Sequence, residues 1–143
     1  MKNSFILLIL LFTFLFFTCK KKVEPTPEIN VKSLILGKWK LVQYKQDNQS
    51  WRDSIGTFYN FINDTLVNTK IFTFACDRKY VLGNSAEGEG IKGINFFPNL
   101  SCSLQDWYNF NVTNINNTVL EINYPDYVGG GPLVRKHERY IKE

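Results

Sequence analysis

From about residue 34 to the end of the chain, apolar and polar positions alternate in short runs. In Leu34 to Lys45, Ile35, Gly37, Trp39, Leu41 and Gln43 share one face, and Leu36, Lys38, Lys40, Val42 and Tyr44 share the other. That period of two predicts a first strand. Ile55 to Ile62 fits either a strand or a short helix capped by Asp53 or Ser54. Lys70 to Cys76 puts Phe72 and Phe74 on one face, and Lys79 to Leu82 does the same for Tyr80 and Leu82. A hairpin cornering at Asp77-Arg78 is the reading that follows. Gly83 to Gly90 is an acidic loop, and Ile91 to Phe97 is an apolar run stopped by Pro98. Trp107 to Thr113 and Thr118 to Tyr124 alternate cleanly around Asn114-Ile115-Asn116-Asn117, which predicts a second hairpin. A loop from Pro125 to Pro132 leads into a last strand, Leu133 to Lys142. Seven or eight short strands, with no amphipathic helix long enough to cover a sheet, point to an all-β antiparallel barrel or sandwich.

The N-terminus follows a different pattern. Lys2 precedes an apolar run from Phe5 to Phe17 that only Thr13 interrupts. Such a run is too short for a membrane-spanning helix, which needs about 18–20 residues, and has the form of an export signal. It ends Phe16-Phe17-Thr18-Cys19, followed by Lys20-Lys21-Lys22. This resembles the lipobox of a bacterial lipoprotein, although Phe16 and Thr18 replace the Leu and the small residue of the usual pattern. The resemblance implies a signal peptide over 1–18, lipidation of Cys19, and a flexible tether over 19–33 containing Pro25 and Pro27. It also implies an exported protein, lipid-anchored to the cell envelope at the outer membrane, on a face the sequence leaves open. Acyl chains contribute about 0.8 kcal/mol per buried methylene and would hold a folded domain on a membrane.

Charge then drops out as a signal. The whole chain carries +4, but residues 34–143 hold 12 Lys and Arg against 11 Asp and Glu. Nucleic acid is not an expected partner, since it needs a basic face or stripe. A monomer is expected.

Gly37-x-Trp39 on the first strand, the alternating hairpins, and the ending Glu138-Arg139-Tyr140-Ile141-Lys142 resemble the lipocalin-like domain of Gram-negative bacterial lipoproteins. That resemblance implies a small up-and-down barrel of about eight strands over 34–143. Gly37 would let another backbone pass close at the base, and the indole of Trp39 would plug it. A basic side chain would pack across the indole, with Arg139 the first candidate and Arg135 or Lys142 behind it. Any ligand would then enter from the opposite end, against Phe72, Phe74, Tyr80, Phe110 and Tyr124. These five aromatics serve equally well as plain core.

Catalytic chemistry finds little footing. His137 is the sole histidine and lies in a run of alternating charge, and no nucleophile elbow is present. Glu87 and Glu89 lack the ligand spacing of a calcium loop, and Gly129-Gly130-Gly131-Pro132 leads into a strand and not a helix. No catalytic residue, metal or cofactor is expected, and the protein is read as a non-enzyme. With Cys19 lipidated, Cys76 and Cys102 remain as an even pair in an oxidising compartment. A disulfide between them would close a loop of about 25 residues and stabilise the fold by about 3 kcal/mol. Asp53-Ser54-Ile55 and Asp64-Thr65-Leu66 resemble an O-glycosylation acceptor pattern, one that chance also produces.

Two functions fit. One is a non-catalytic module binding a small apolar ligand inside the barrel. The other is a filled barrel that contacts an envelope protein or glycan, such as an inhibitor of a lytic enzyme, with Trp51, Phe58 and Tyr59 as contact residues. A cavity of about 300 Å³ or more separates the first from the second.

Overall fold

The computed structural model describes residues 29–71, 74–85, 90–97, 109–127 and 133–143. Among these residues a one-turn helix, α1 (Val31–Leu34), comes first. Nine strands follow: β1 (Gly37–Gln46), β2 (Arg52–Asp53), β3 (Thr57–Phe61), β4 (Leu66–Ile71), β5 (Phe74–Gly83), β6 (Lys92–Phe96), β7 (Asn109–Ile115), β8 (Val119–Tyr127) and β9 (Leu133–Lys142). All neighbours are antiparallel, and β9 returns to pair with β1. β2 and β3 both lie along the other side of β1 and behave as one strand with a break. Asp53 faces Gln43 and Phe58 faces Lys40, so 54–57 must span the width of Leu41 and Val42. Gly56, at φ 93°, takes up that excess. The result is a closed eight-stranded barrel with the up-and-down order that the lipocalin-like resemblance implies. Closure leaves no long unpaired edge.

One end of the barrel is shut. Asn30 caps α1 through its side chain, which accepts from the Ser33 amide. The helix buries Val31, and the turn after it buries Ile35. Trp39 is fully buried and donates from Nε1 to the Ile35 carbonyl at 2.6 Å. The folded unit therefore takes in residues ahead of Leu34, although a single helical turn is too short to show a period in sequence. Lys142 lies opposite Trp39 in the β1–β9 register, with its ammonium 5.1 Å from the indole and 3.3 Å from the Leu34 carbonyl. Its stem crosses Gly37, where a Cβ would meet Lys142 Cε at 2.9 Å. Gly37 also has φ +112°, a conformation side chains rarely adopt. The glycine thus makes room for a lysine side chain, where the sequence suggested a passing backbone.

Arg139 does not perform the base role expected of it. The inward positions of β9 are even, with Glu138 and Tyr140 buried, so Arg139 points outward. There its Nε donates to Glu121 at 2.7 Å, its Nη1 donates to Gln43 at 2.9 Å, and its guanidinium lies 4.3 Å from the Trp51 ring centroid. Arg135, also odd, donates to Asn123. Lys142 shares the parity of Tyr140 and takes the place over Trp39.

Candidate functional site

Both ends of the barrel follow from strand direction. β1 and β8 run from the base upward, β9 runs down, and the opening lies where residues 46, 57, 127 and 133 sit. Two register slips decide which side chains point inward. Between β1 and β9, Leu41 faces Tyr140 but Gln43 faces Arg139, which leaves Val42 as an extra residue. Below that bulge the odd residues Trp39 and Leu41 point inward; above it the even residues Tyr44 and Gln46 do. The uninterrupted alternation read from the sequence would have put Tyr44 outside. A second slip between Val112 and Asn114 has the same effect on β7, whose inward set passes from Phe110 and Val112 to Ile115.

The β4–β5 hairpin also differs from the sequence reading. β4 ends at Ile71 and β5 begins at Phe74, which pairs with Ile71, so Asp77-Arg78 lies within β5 and is not the corner. Asp77 is instead an outward strand residue that accepts from Asn68 at 2.7 Å, and Arg78 lines the interior. Within Ile55–Ile62, Thr57–Phe61 forms strand β3, and no residue of the run is helical.

Inside, the aromatic residues pack around Tyr59. Its ring centroid lies 5.4 Å from Tyr140, 5.9 Å from Phe110, and 6.2 Å from both Phe61 and Phe96. Phe110 continues the stack to Tyr124 at 4.7 Å. Offset and edge-on pairs of this kind add about 0.5–1.5 kcal/mol each beyond area burial. Packing stops there. Above Leu41, Tyr59, Phe96 and Phe110 lies a cavity of about 540 Å³ that reaches the open end.

Its wall is not wholly apolar. Glu138, only 5% exposed, accepts from Tyr124 Oη at 2.8 Å and from Tyr140 Oη at 2.5 Å. Lys136 Nζ lies 3.0 Å from the same carboxylate, and 5.8 and 5.6 Å from the ring centroids of Tyr44 and Tyr124. Arg78, Asp126, Thr69, Thr57, Ser54 and Gln46 complete the polar part of the lining. Burial, followed by the charge of Glu138, pushes the Tyr124 and Tyr140 hydroxyls well above the ordinary tyrosine range. Tyr80 is pushed up to about 12, first by burial and then by Asp64. These hydroxyls stay protonated in the folded chain when the same groups ionise near pH 10 in the unfolded one. Their contribution is therefore intact below about pH 10 and is lost as pH rises towards 12 and beyond. Urea midpoints are expected to hold steady from pH 7 to about 9.5 and then fall, with phenolate absorbance rising only as the chain unfolds.

The expected ligand residues divide. Phe110 and Tyr124 line the cavity. Tyr80 does not; it is buried towards the base, and its hydroxyl donates to the Asn63 carbonyl at 2.8 Å. Phe74 has the inward parity of Tyr80 but stands at the rim, 62% exposed. Phe72 lies outside the described residues, as do Cys19, Glu87, Glu89, Cys102, the Gly129–Gly131 run and residues 1–28. Cys76 is half-buried on β5, 3.3 Å from Thr69 Oγ1. His137 shares the outward face of Arg139.

The proposed contact residues are occupied elsewhere. Trp51 is held beneath Arg139 and Lys45, Phe58 lies under Lys38 at 4.7 Å, and Tyr59 is core. Sequence reasoning missed Tyr44, Arg78, Phe96, Lys136 and Glu138. For the last two, the available signal was their shared parity with Tyr140 and Lys142. On the outer wall, buried Asn111 and Asn123 bond to each other at 3.0 Å, and Ser85 donates to Asn111 at 2.8 Å. No cluster of three or more His, Cys, Asp or Glu able to hold a metal occurs among the described residues.

No family model matches the chain, and no curated protein matches it. Among solved structures it is similar to a lipocalin-like protein from Bacteroides uniformis ATCC 8492, at 17% identity and a TM-score of 0.48, over 76% of this chain and 97% of that one.

Proposed function

We propose that this protein is a non-catalytic binding module of the cell envelope that takes a small amphipathic molecule into the open end of its barrel. The cavity carries the reading. About 540 Å³ falls within the range of small-molecule sites, which runs from about 300 to 1,000 Å³. Aromatic surface at its floor suits an apolar body, as the sequence suggested. The charged and hydroxyl groups on its wall add a requirement for polar groups on the ligand, because a wholly apolar molecule would strip water from them without replacing it.

A second reading keeps support from the rim. Ile55, Phe74, Phe97 and Leu133 are exposed apolar residues on four segments around the opening, and an envelope protein could cover them. Lipidation at Cys19 and a Cys76–Cys102 disulfide belong to the same proposal; with Cys19 acylated, the two remaining cysteines form an even pair in an oxidising compartment. Mass spectrometry of the protein purified from its own envelope tests all of these together. Under denaturing conditions the expected mass begins at an acylated Cys19 and lacks two hydrogens for the disulfide. Under native conditions a retained small molecule is expected. A co-purifying protein on an empty barrel would replace the first reading with the second, and an unmodified N-terminus would remove the anchor.

A further inference from the structure

The side chain of Lys136 occupies a defined place in the cavity wall. Its ammonium is bounded by the Glu138 carboxylate at 3.0 Å and by the faces of Tyr44 and Tyr124 at 5.8 and 5.6 Å. A carboxylate with two aromatic faces is the arrangement that recognises organic ammonium groups, through charge pairing and cation–π attraction. Glu138 is fixed in that arrangement by the hydroxyls of Tyr124 and Tyr140, so the cage does not depend on the lysine to hold its shape. Lys136 is the exchangeable part. It is an unbranched chain whose side chain is 27% exposed, and it can extend towards the opening and keep its charge in water.

From this geometry we infer that the cavity is a site for an amine-bearing ligand, whose ammonium takes the position of Lys136 Nζ between Glu138, Tyr44 and Tyr124 while its apolar body lies against Tyr59 and Phe110. This rests on the ligand-binding reading above and specifies the sign of the ligand's charge. A carboxylate or phosphate is disfavoured at this position, because it would meet the Glu138 charge within a few ångströms in a poorly solvated wall. Arg78, the other cation of the lining, is engaged in interactions of its own, and Asp126 adds a second negative charge to the cavity.

Calorimetric titration of the full chain with three probes of one shape tests the inference: naphthylmethylammonium, naphthylmethanol and naphthylacetate. Removal of the resident ammonium in Lys136→Ala is expected to tighten naphthylmethylammonium at least tenfold over the wild type. That probe should then bind the variant at least tenfold more tightly than the alcohol. Adding Glu138→Gln to the same variant should abolish the preference. Lys136→Gln, which keeps the stem and loses the charge, serves if the alanine variant does not fold. Naphthylacetate binding best, or no gain on removing Lys136, would overturn the amine assignment and leave the ligand-binding reading standing. If none of the probes bound any folded variant, both readings would fall.

Discussion

Replacing Glu138 with alanine is expected to lower the unfolding free energy by about 2–5 kcal/mol, most of it from the two buried hydroxyls that lose their acceptor. The side chain accepts from Tyr124 and Tyr140 and faces Lys136. Alanine leaves two buried hydroxyls without that acceptor and an ammonium without its counter-charge. Each unsatisfied hydroxyl costs about 1–3 kcal/mol on its own. Glu138→Gln keeps an acceptor of the same shape and should cost less, about 1–2 kcal/mol. The cluster also makes a coupling prediction. In a Tyr140→Phe background, Glu138→Ala should lose about 1 kcal/mol less than in the wild type, because one orphaned hydroxyl is already gone. Urea denaturation at neutral pH measures the wild type and all four variants. A Glu138→Ala variant within 1 kcal/mol of the wild type would show that the carboxylate is not set in the wall as described.

The second large effect lies at the other end. Trp39→Ala is expected to cost about 3–5 kcal/mol, as large aromatic truncations in cores do. The indole fills the base, holds the carbonyl of Ile35, and lies beneath Lys142. Its removal empties the contact between the barrel and the residues Val31 and Ile35, both buried. Trp39→Phe should retain part of the packing and lose the Nε1 hydrogen bond, costing about 1–3 kcal/mol. The same urea series reads both variants. Because base and cavity are separate regions, Trp39→Phe should leave binding at the open end unchanged wherever the variant remains folded.

The base was legible in the sequence and the cavity was not, for reasons that lie in the strands. Gly37 and Trp39 carry a local signal, since one needs a positive φ and the other needs to be buried. Even so, the cation over Trp39 was assigned to Arg139. The ending Arg135-Lys136-His137-Glu138-Arg139 alternates charge with charge, and its shared parity with Tyr140 is the one hint of which set faces in. Only the register against β1 and β8 settles it, in favour of Lys136, Glu138 and Lys142. The bulge at Val42 then reverses β1 midway, which carries Tyr44 and Gln46 into the lumen. Bulges leave little trace in a single sequence, yet each one moves the rest of its strand to the opposite face. Arg78 is missed for a related reason: Asp77-Arg78, a polar pair inside β5, has the composition of a turn. The closed barrel survives all these errors, because it depends on the number and spacing of strands and not on the parity of any one.

In the proposed mode of binding, a small molecule enters the open end and rests on Tyr59, Phe96 and Phe110. Titration with a solvatochromic amphiphilic dye, on the wild type and on Thr57→Trp, tests it directly. Thr57 lines the cavity from β3, so an indole there should fill the space without touching the base. The wild type is expected to bind one dye with a blue shift, and Thr57→Trp, with an unchanged circular dichroism spectrum, to bind at least tenfold more weakly. Equal affinity in the two proteins would place the dye elsewhere and contradict the claim.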